Sequence, residues 1–341
     1  MPLQGQPPRR QRRRALAVVV FAGSALACCL AMAADSAAAA LMPDAQPAPV
    51  PPARSAQTDD LLVVGAGALG RRVAAQWRRD RPLANIVAAT LTTASHDALR
   101  AEGLQPVTLA QLEAEAEVPR FRQVLFTAPP KMGTTEPGWY AASVATALKH
   151  WDGIDGGGNF VFTSSCSVYS EDAGGKVVED SPLASSAGAL RLFEAEKPVL
   201  QDGGCILRLA GLYDARRGPH EYWLKLGVVK GRPEGLINML HYDDAAAAAA
   251  AALARPGKSQ GEVFVVADGS PVSRFGICEA ALGAKPYAGF KPPTFEAATP
   301  PGVVAPPGGA GAGKVLDASK ARNLLAWRPR FPSFASYMAT L

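Results

Sequence analysis

Leu61-Leu62-Val63-Val64-Gly65-Ala66-Gly67-Ala68-Leu69-Gly70 is the stretch that decides the fold. Four apolar, partly β-branched residues follow two acids, Asp59 and Asp60, and read as a short buried strand. The run passes directly into Gly-x-Gly-x-x-Gly, beyond which Leu69, Val73 and Trp77 recur at helical spacing. Strand, glycine loop and helix in this order make a dinucleotide cradle. Each glycine has its own reason. Gly65 permits the tight turn, Gly67 lacks the Cβ that would keep a pyrophosphate off the backbone, and Gly70 lets the helix lie close to the strand. Ala68 and Leu69 open the helix, whose free N–H groups and partial positive charge face the phosphates.

Outward from this point the chain alternates. Strands are expected at 85–90 (NIVAAT), 124–128 (VLFTA), 160–163, 205–209 and 263–266. Helical spacing covers 139–151 (Tyr140, Val144, Leu148, Trp151) and 190–200, the latter interrupted by Pro198. The alanine run 245–252 follows Asp243 and Asp244 and reads as a helix capped by them. Such alternation predicts an α/β fold with a doubly wound parallel sheet, whose ligands bind outside the carboxyl ends of the strands. Thr90, Ala128 with Pro129, and Ser164 stand at such ends and are assigned to the cofactor. An NAD site commonly carries an acid at the end of the second strand, about 20 residues after the glycines. Here the chain reads Thr90-Leu91-Thr92-Thr93, and the nearest acid, Asp97, lies further on. Arg71 and Arg72 follow the loop and can reach a 2′-phosphate, so NADP is preferred to NAD.

The chain has 341 residues, 48% hydrophobic and 19% charged, an ordinary globular composition. Its net charge is +5, but five of the 35 Lys and Arg (Arg9, Arg10, Arg12, Arg13, Arg14) lie in residues 1–34, which hold no acid. The 30 basic residues that remain balance 30 acidic ones, which argues against nucleic acid as a partner. Five cysteines without a C-x-x-C pair argue against a disulfide framework and a structural zinc. Residues 1–58 read as a basic, apolar targeting leader followed by a Pro/Ala-rich linker. A plastid transit segment is the preferred reading, leaving no membrane attachment after its removal. A secretory or twin-arginine signal (Arg13-Arg14), or a retained anchor, are the alternatives. A second Pro/Gly-rich stretch, 297–313, reads as a mobile loop.

Gly65–Gly70, FVFTSSCSVY (160–169), ILRLAGLYD (206–214) and INMLHYDDAA (237–246) together resemble the extended short-chain dehydrogenase/reductase family in its epimerase/dehydratase branch. The tail, VFVVADGSPVSRFGICEAAL (263–282) followed by GKVLDASKARNLLAWRPRFPSF (313–334), looks like its atypical members with short substrate regions. The resemblance spans about 60–341. It implies a Rossmann domain over 59–341, with a substrate lobe drawn mainly from 211–240 and 268–341. It also implies NAD(P), redox or epimerase chemistry on a hydroxyl or carbonyl of a small-molecule substrate, and a homodimer.

The resemblance also implies a catalytic Ser with a Tyr-x-x-x-Lys pair on the next helix, where a lysine one turn on lowers the pKa of the tyrosine. Ser165, four residues before Tyr169, matches the serine. Aligning Glu196 with the family's helix puts Gly188 and Leu192 at the pair, so the pair is missing. Tyr287 and Lys291 have the spacing but lie near Pro292 and Pro293, off that helix. Ser165 and Tyr169 are the candidate catalytic residues, with Ser164 and Tyr213 as further substitutes. Glu194 and Glu196 read as a solvated helix face and His241 as a structural histidine. Arg208 and Arg216-Arg217 read as solvated loop arginines or as a grip on an anionic substrate. Two functions compete: an oxidoreductase or epimerase with a non-standard acid/base, and a non-catalytic dinucleotide-binding redox sensor or assembly factor.

Overall fold

The computed structural model describes residues 59–114, 120–130, 138–296, 309 and 311–341. The leader 1–58 and most of the Pro/Gly-rich stretch lie outside the described residues. The first half runs β1 (Leu61–Val64), α1 (Ala68–Asp80), β2 (Ile86–Thr90), α2 (His96–Ala101), β3 (Gln105–Thr108), α3 (Leu109–Glu113), β4 (Gln123–Phe126), α4 (Trp139–Leu148) and β5 (Asn159–Ser165). It continues through β6 (Ala173–Val177), α5 (Ala187–Gln201), β7 (Cys205–Leu209), β8 (Gly211–Tyr213), α6 (Pro219–Leu226), β9 (Val228–Val229), β10 (Leu236–Ile237) and β11 (Met239–His241). The rest is α7 (Tyr242–Leu253), α8 (Pro256–Ser259), β12 (Val263–Val266), β13 (Val272–Ser273), α9 (Arg274–Leu282), β14 (Thr294–Phe295), β15 (Gly313–Leu316), α10 (Ser319–Leu324) and α11 (Phe334–Met338).

Seven strands form one parallel sheet in the order β12-β7-β5-β4-β1-β2-β3. The strand order reverses between β1 and β4, and this break opens the crevice at the carboxyl edge. β1 is apolar throughout because both of its faces are covered. Leu61 and Val63 enter a core with Leu69, Val73 and Trp77 of α1 and the alanines of α7. Leu62 and Val64 enter a second core with Tyr140, Val144 and Leu148 of α4 and Ala195 and Val199 of α5. A third core, away from the sheet, gathers Tyr213, Trp223, Met239, Ile277, Tyr287 and Phe334.

Several boundaries differ from expectation. β4 ends at Phe126; Thr127 N–H still donates to Val64 O at 2.9 Å, and Ala128 then lies against Gly65. α4 stops at Leu148, and Trp151 instead bridges Phe121. α5 runs unbroken through Pro198. The cap of α7 is the His241 side chain, which accepts from Asp243 N–H, while Asp243 and Asp244 lie in the first turn, where carboxylates complement the helix dipole. The end of the Pro/Gly-rich stretch is pinned. Gly311 N–H donates to Asp172 Oδ2 at 2.8 Å, Leu236 N–H donates to Ala312 O at 2.9 Å, and Gly313 opens β15.

Candidate dinucleotide and substrate site

The crevice is built by Gly65 after β1 and Thr127-Ala128 after β4. Gly65 has φ +94°, and a Cβ on it would lie 2.4 Å from Ala128 N. Only glycine fits, because the two strand ends touch there and the backbone is left-handed. Gly70 is closed in a different way: its Cβ would meet Gly65 O at 2.6 Å and Val63 Cγ1 at 2.9 Å. Gly67 is exposed and has nothing within 4 Å of where a Cβ would be. It precedes α1, which has no side-chain cap and no acid in its first turn. The N–H groups of that turn have no intrahelical acceptor, and the dipole makes the same point positive. A pyrophosphate fits here chemically, as charge and donors face open space. Three neighbours shape the loop: Gly67 N–H donates to Gly65 O at 2.8 Å, Thr127 Oγ1 to Gly65 O at 3.3 Å, and Tyr140 OH to Ala128 O at 2.7 Å. Thr127 and Tyr140 escaped the sequence reading, because their role is a contact 62 residues away in one case and to a backbone oxygen in the other.

Ala128 is half-buried against Gly65 and Pro129 is exposed beside it, both at the mouth of the crevice. Thr90 ends β2, but its hydroxyl turns inward, meeting His96 Nε2 at 2.8 Å and the Thr92 carbonyl at 2.8 Å. Ser164 is a correction. Its Oγ donates to Glu196 Oε1 at 2.6 Å inside the protein, so the hydroxyl faces away from the crevice. Its neighbour Ser165, one residue further along the pleat, points to the other face and is half-buried. Ser165 Oγ accepts from Ser167 N–H at 3.1 Å, which leaves its own proton for another acceptor.

Glu196 and Arg208 are corrections too. Glu196 is fully buried and Arg208 is 4% exposed. Arg208 donates to Glu196 through Nε at 3.1 Å and Nη2 at 2.7 Å, and through Nη1 to Tyr169 OH at 2.9 Å. Burial pulls the Arg208 pKa down, but the Glu196 carboxylate more than offsets it and the net direction is up. Tyr169 OH in turn donates to the Glu179 carbonyl at 3.2 Å. Burial raises the Tyr169 pKa against the opposing pull of Arg208. This hydroxyl is spent inside the wall, and its pKa moves away from the range a general acid/base needs. At the positions aligned with the Tyr–Lys pair, α5 presents half-buried Gly188 and Leu192. Tyr287 lies in the third core and donates to Glu221 Oε2 at 2.6 Å, far in the fold from α5. Tyr213 is buried there too, its hydroxyl unpaired among the described residues, and burial raises its pKa. Arg216 and Arg217 are exposed on the loop after β8.

Asp268, just past β12, is 6% exposed; burial, more than the nearby Asp244 carboxylate, raises its pKa to about 7 from 3.8. The raised value fixes a pH dependence. Below pH 3.8 the carboxyl is neutral in both states and costs nothing. As pH rises to about 7 the unfolded chain gains by ionising first, and stability falls. Asp268→Asn keeps the acceptor for Ser270 N–H. It is expected to raise stability at pH 8 by about 2–4 kcal/mol and to flatten the fall between the two pKa values. Urea melts of both proteins across that range check this, and equal slopes would refute it.

No family model and no curated protein matches the chain. Solved structures do. A functionally unknown conserved protein from Silicibacter pomeroyi matches with TM-score 0.63 and 21% identity, over 83% of this chain and 97% of that one. MoeE5, solved in complex with UDP-glucose and NAD, matches with TM-score 0.60 and 19% identity, over 82% and 96%. UDP-glucuronic acid 4-epimerase from Bacillus cereus, in complex with UDP-glucuronic acid and NAD, matches with TM-score 0.59 and 17% identity, over 82% and 96%. At these identities the likeness is one of fold. The chain shares with these proteins a Rossmann-like α/β architecture, carried through nearly their whole length.

Proposed function

We propose that the chain binds NAD(P) at Gly65–Gly70 and catalyses redox or epimerase chemistry on a hydroxyl or carbonyl of a small molecule. The observation that carries this is the set of three glycines. Two are closed by contacts at the strand break, and the one that must admit a phosphate is open. The fold shared with NAD-bound proteins supports it.

The cofactor would supply the hydride or accept it. Gly67 and the first turn of α1 would hold its phosphates, and Ala128 with Pro129 would bound its crevice. Ser165 would donate a hydrogen bond to the reacting oxygen with the proton that Ser167 leaves unused. Ser165 then orients and polarises the carbonyl. Without a tyrosine on α5, the proton has to come from solvent or from the substrate itself.

NADP is the preferred form. No carboxylate stands at the end of β2 to repel a 2′-phosphate. Arg72 is committed elsewhere, to Asp214 at 2.8 Å and Asp243 at 3.0 Å. Arg71 is held by Glu102, with Nε at 2.9 Å from Oε2, so a 2′-phosphate competes with that carboxylate. Glu102→Gln is therefore expected to tighten NADPH about three- to tenfold and to leave NADH unchanged. Calorimetry on the four cofactor forms measures it. Tighter binding of NADH than NADPH by the wild type would sink the preference.

One specific observation favours the non-catalytic reading: α5 presents neither hydroxyl nor amine at the mouth of the site. Dinucleotide binding without oxidation of NADPH across a panel of carbonyl compounds would select it.

A further inference from the structure

We infer that Arg274 anchors an oxyanion site in the carboxyl-terminal lobe and that the substrate carries a carboxylate or phosphate for this guanidinium. The substrate half of the inference rests on the function proposed above; the anion site itself does not.

Arg274 opens α9 and is 5% exposed. Its guanidinium makes no hydrogen bond or ion pair among the described residues, and Nη1 is fully buried without a partner. Arg208 shows what a structural arginine looks like in this fold. It is as deeply buried, and its nitrogens are taken by Glu196, Tyr169 and the Glu179 carbonyl. Arg274 has no such set. The acid whose field reaches it, Asp172, is exposed and gives its Oδ2 to Gly311 N–H. The stretch 297–310 contains no acid at all.

Its position makes the charge still less favourable. Arg274 is the first residue of α9, at the positive end of the dipole, and that turn holds no acid. A guanidinium does not shed its proton to escape burial. A buried, unpaired cation at a helix N-terminus is therefore costly until an anion arrives. Burial pulls its pKa down, with only Asp172 opposing.

Two glycines make room for the guanidinium itself. A Cβ on Gly235 would lie 1.9 Å from Arg274 Nη1, and one on Gly231 would lie 3.2 Å from Nε. Both glycines leave a bare backbone shelf under the guanidinium, and Gly231 has φ +102°. Strand pairings link this lobe to the segment that follows β5. β13, just before Arg274, pairs with β10, and β10 packs on β15. β15 pairs with β6, which begins eight residues after Ser165. A planar, two-oxygen anion matches the fork of an arginine better than a single charge does.

The test is a calorimetric titration of the full-length protein, without cofactor, with inorganic phosphate and with malonate at constant ionic strength. One of the two is expected to bind saturably, and which one does separates phosphate from carboxylate substrates. Because phosphate can also reach the glycine loop, the titration is repeated on Gly67→Glu. Binding is expected to survive Gly67→Glu and to weaken roughly tenfold or more in Arg274→Gln, with Arg274→Lys between them. No saturable binding by either anion overturns the site. Binding that Gly67→Glu removes and Arg274→Gln leaves also overturns it. Arg274→Met removes the uncompensated charge, so the melting temperature is expected to hold or rise. A fall of more than about 5 °C would make Arg274 a structural residue and overturn the inference. Anion binding through Arg274 in a protein that binds no dinucleotide supports the site while rejecting the cofactor chemistry.

Discussion

Gly67→Glu is expected to abolish dinucleotide binding and leave the fold intact, whereas Gly65→Ala, the smaller change, is expected to damage the fold itself. The two glycines are two residues apart and differ in what surrounds them. Nothing lies within 4 Å of a Cβ at Gly67, and its φ of −81° suits any residue. A glutamate there changes stability by no more than about 0.5 kcal/mol, as for an unconstrained surface site. It does put a carboxylate where the pyrophosphate of the proposed cofactor would lie, at the positive end of α1. A loss of about 100-fold or more in affinity follows from the like charge and the filled space. At Gly65 the φ of +94° alone costs a side chain about 1–3 kcal/mol. A Cβ 2.4 Å from Ala128 N must also push β1 and β4 apart. Together these are worth roughly 3–5 kcal/mol, or a drop in melting temperature of about 5–15 °C. Calorimetric titration and thermal unfolding of both variants read this out. If Gly67→Glu binds NADPH or NADH like the wild type, the cradle is not a dinucleotide site.

Glu196→Ala is expected to be the most destabilising single change in the wall behind Ser165. It leaves Arg208 charged and buried, and takes the acceptor from Ser164. Breaking such a pair costs about 3–5 kcal/mol. The double variant Glu196→Leu with Arg208→Met removes both charges, and most of the loss is expected to return. Urea unfolding of the single and double variants measures the coupling. A cost below about 1 kcal/mol for Glu196→Ala would mean that water reaches the pair and that the network is not a rigid support for Ser165.

The Gly65–Gly70 end was legible because its constraints are local. The apolar run 61–64, the three glycines and the Leu69/Val73/Trp77 stripe lie within 17 residues. Spacing within one strand–turn–helix unit is set by backbone geometry. The substrate side was less legible. Glu196 sits on a helix whose exposed Glu194 is two residues away, and nothing local separates the two. Glu196 is buried because Arg208, twelve residues on in β7, needs its carboxylate. Ser164 and Ser165 were both candidates, and the pleat decides between them by sending one to Glu196 and the other to the open side. Arg274 gave no signal at all. A single arginine in Val-Ser-Arg-Phe looks like any helix-opening cation until the described residues around it prove to give its guanidinium no carboxylate partner.

The sequence by itself determined the parallel sheet, the strand–glycine turn–helix unit at 61–80 and the absence of a Tyr–Lys pair on α5. Those follow from hydrophobic periodicity, from where glycine alone is tolerated, and from residue identity at fixed spacing. Only the tertiary structure decided which titratable groups are spent and which are free. It buried α7, whose near-uniform alanines show no face, between α1 and the sheet, where small side chains allow close approach. It used Tyr169, Glu196 and Arg208 to pay for one another, and it left Arg274 without a partner among the described residues. The physical reason is one of range. Periodicity and turn chemistry act over a few residues along the chain, but desolvation and charge pairing act between groups brought together from distant parts of it.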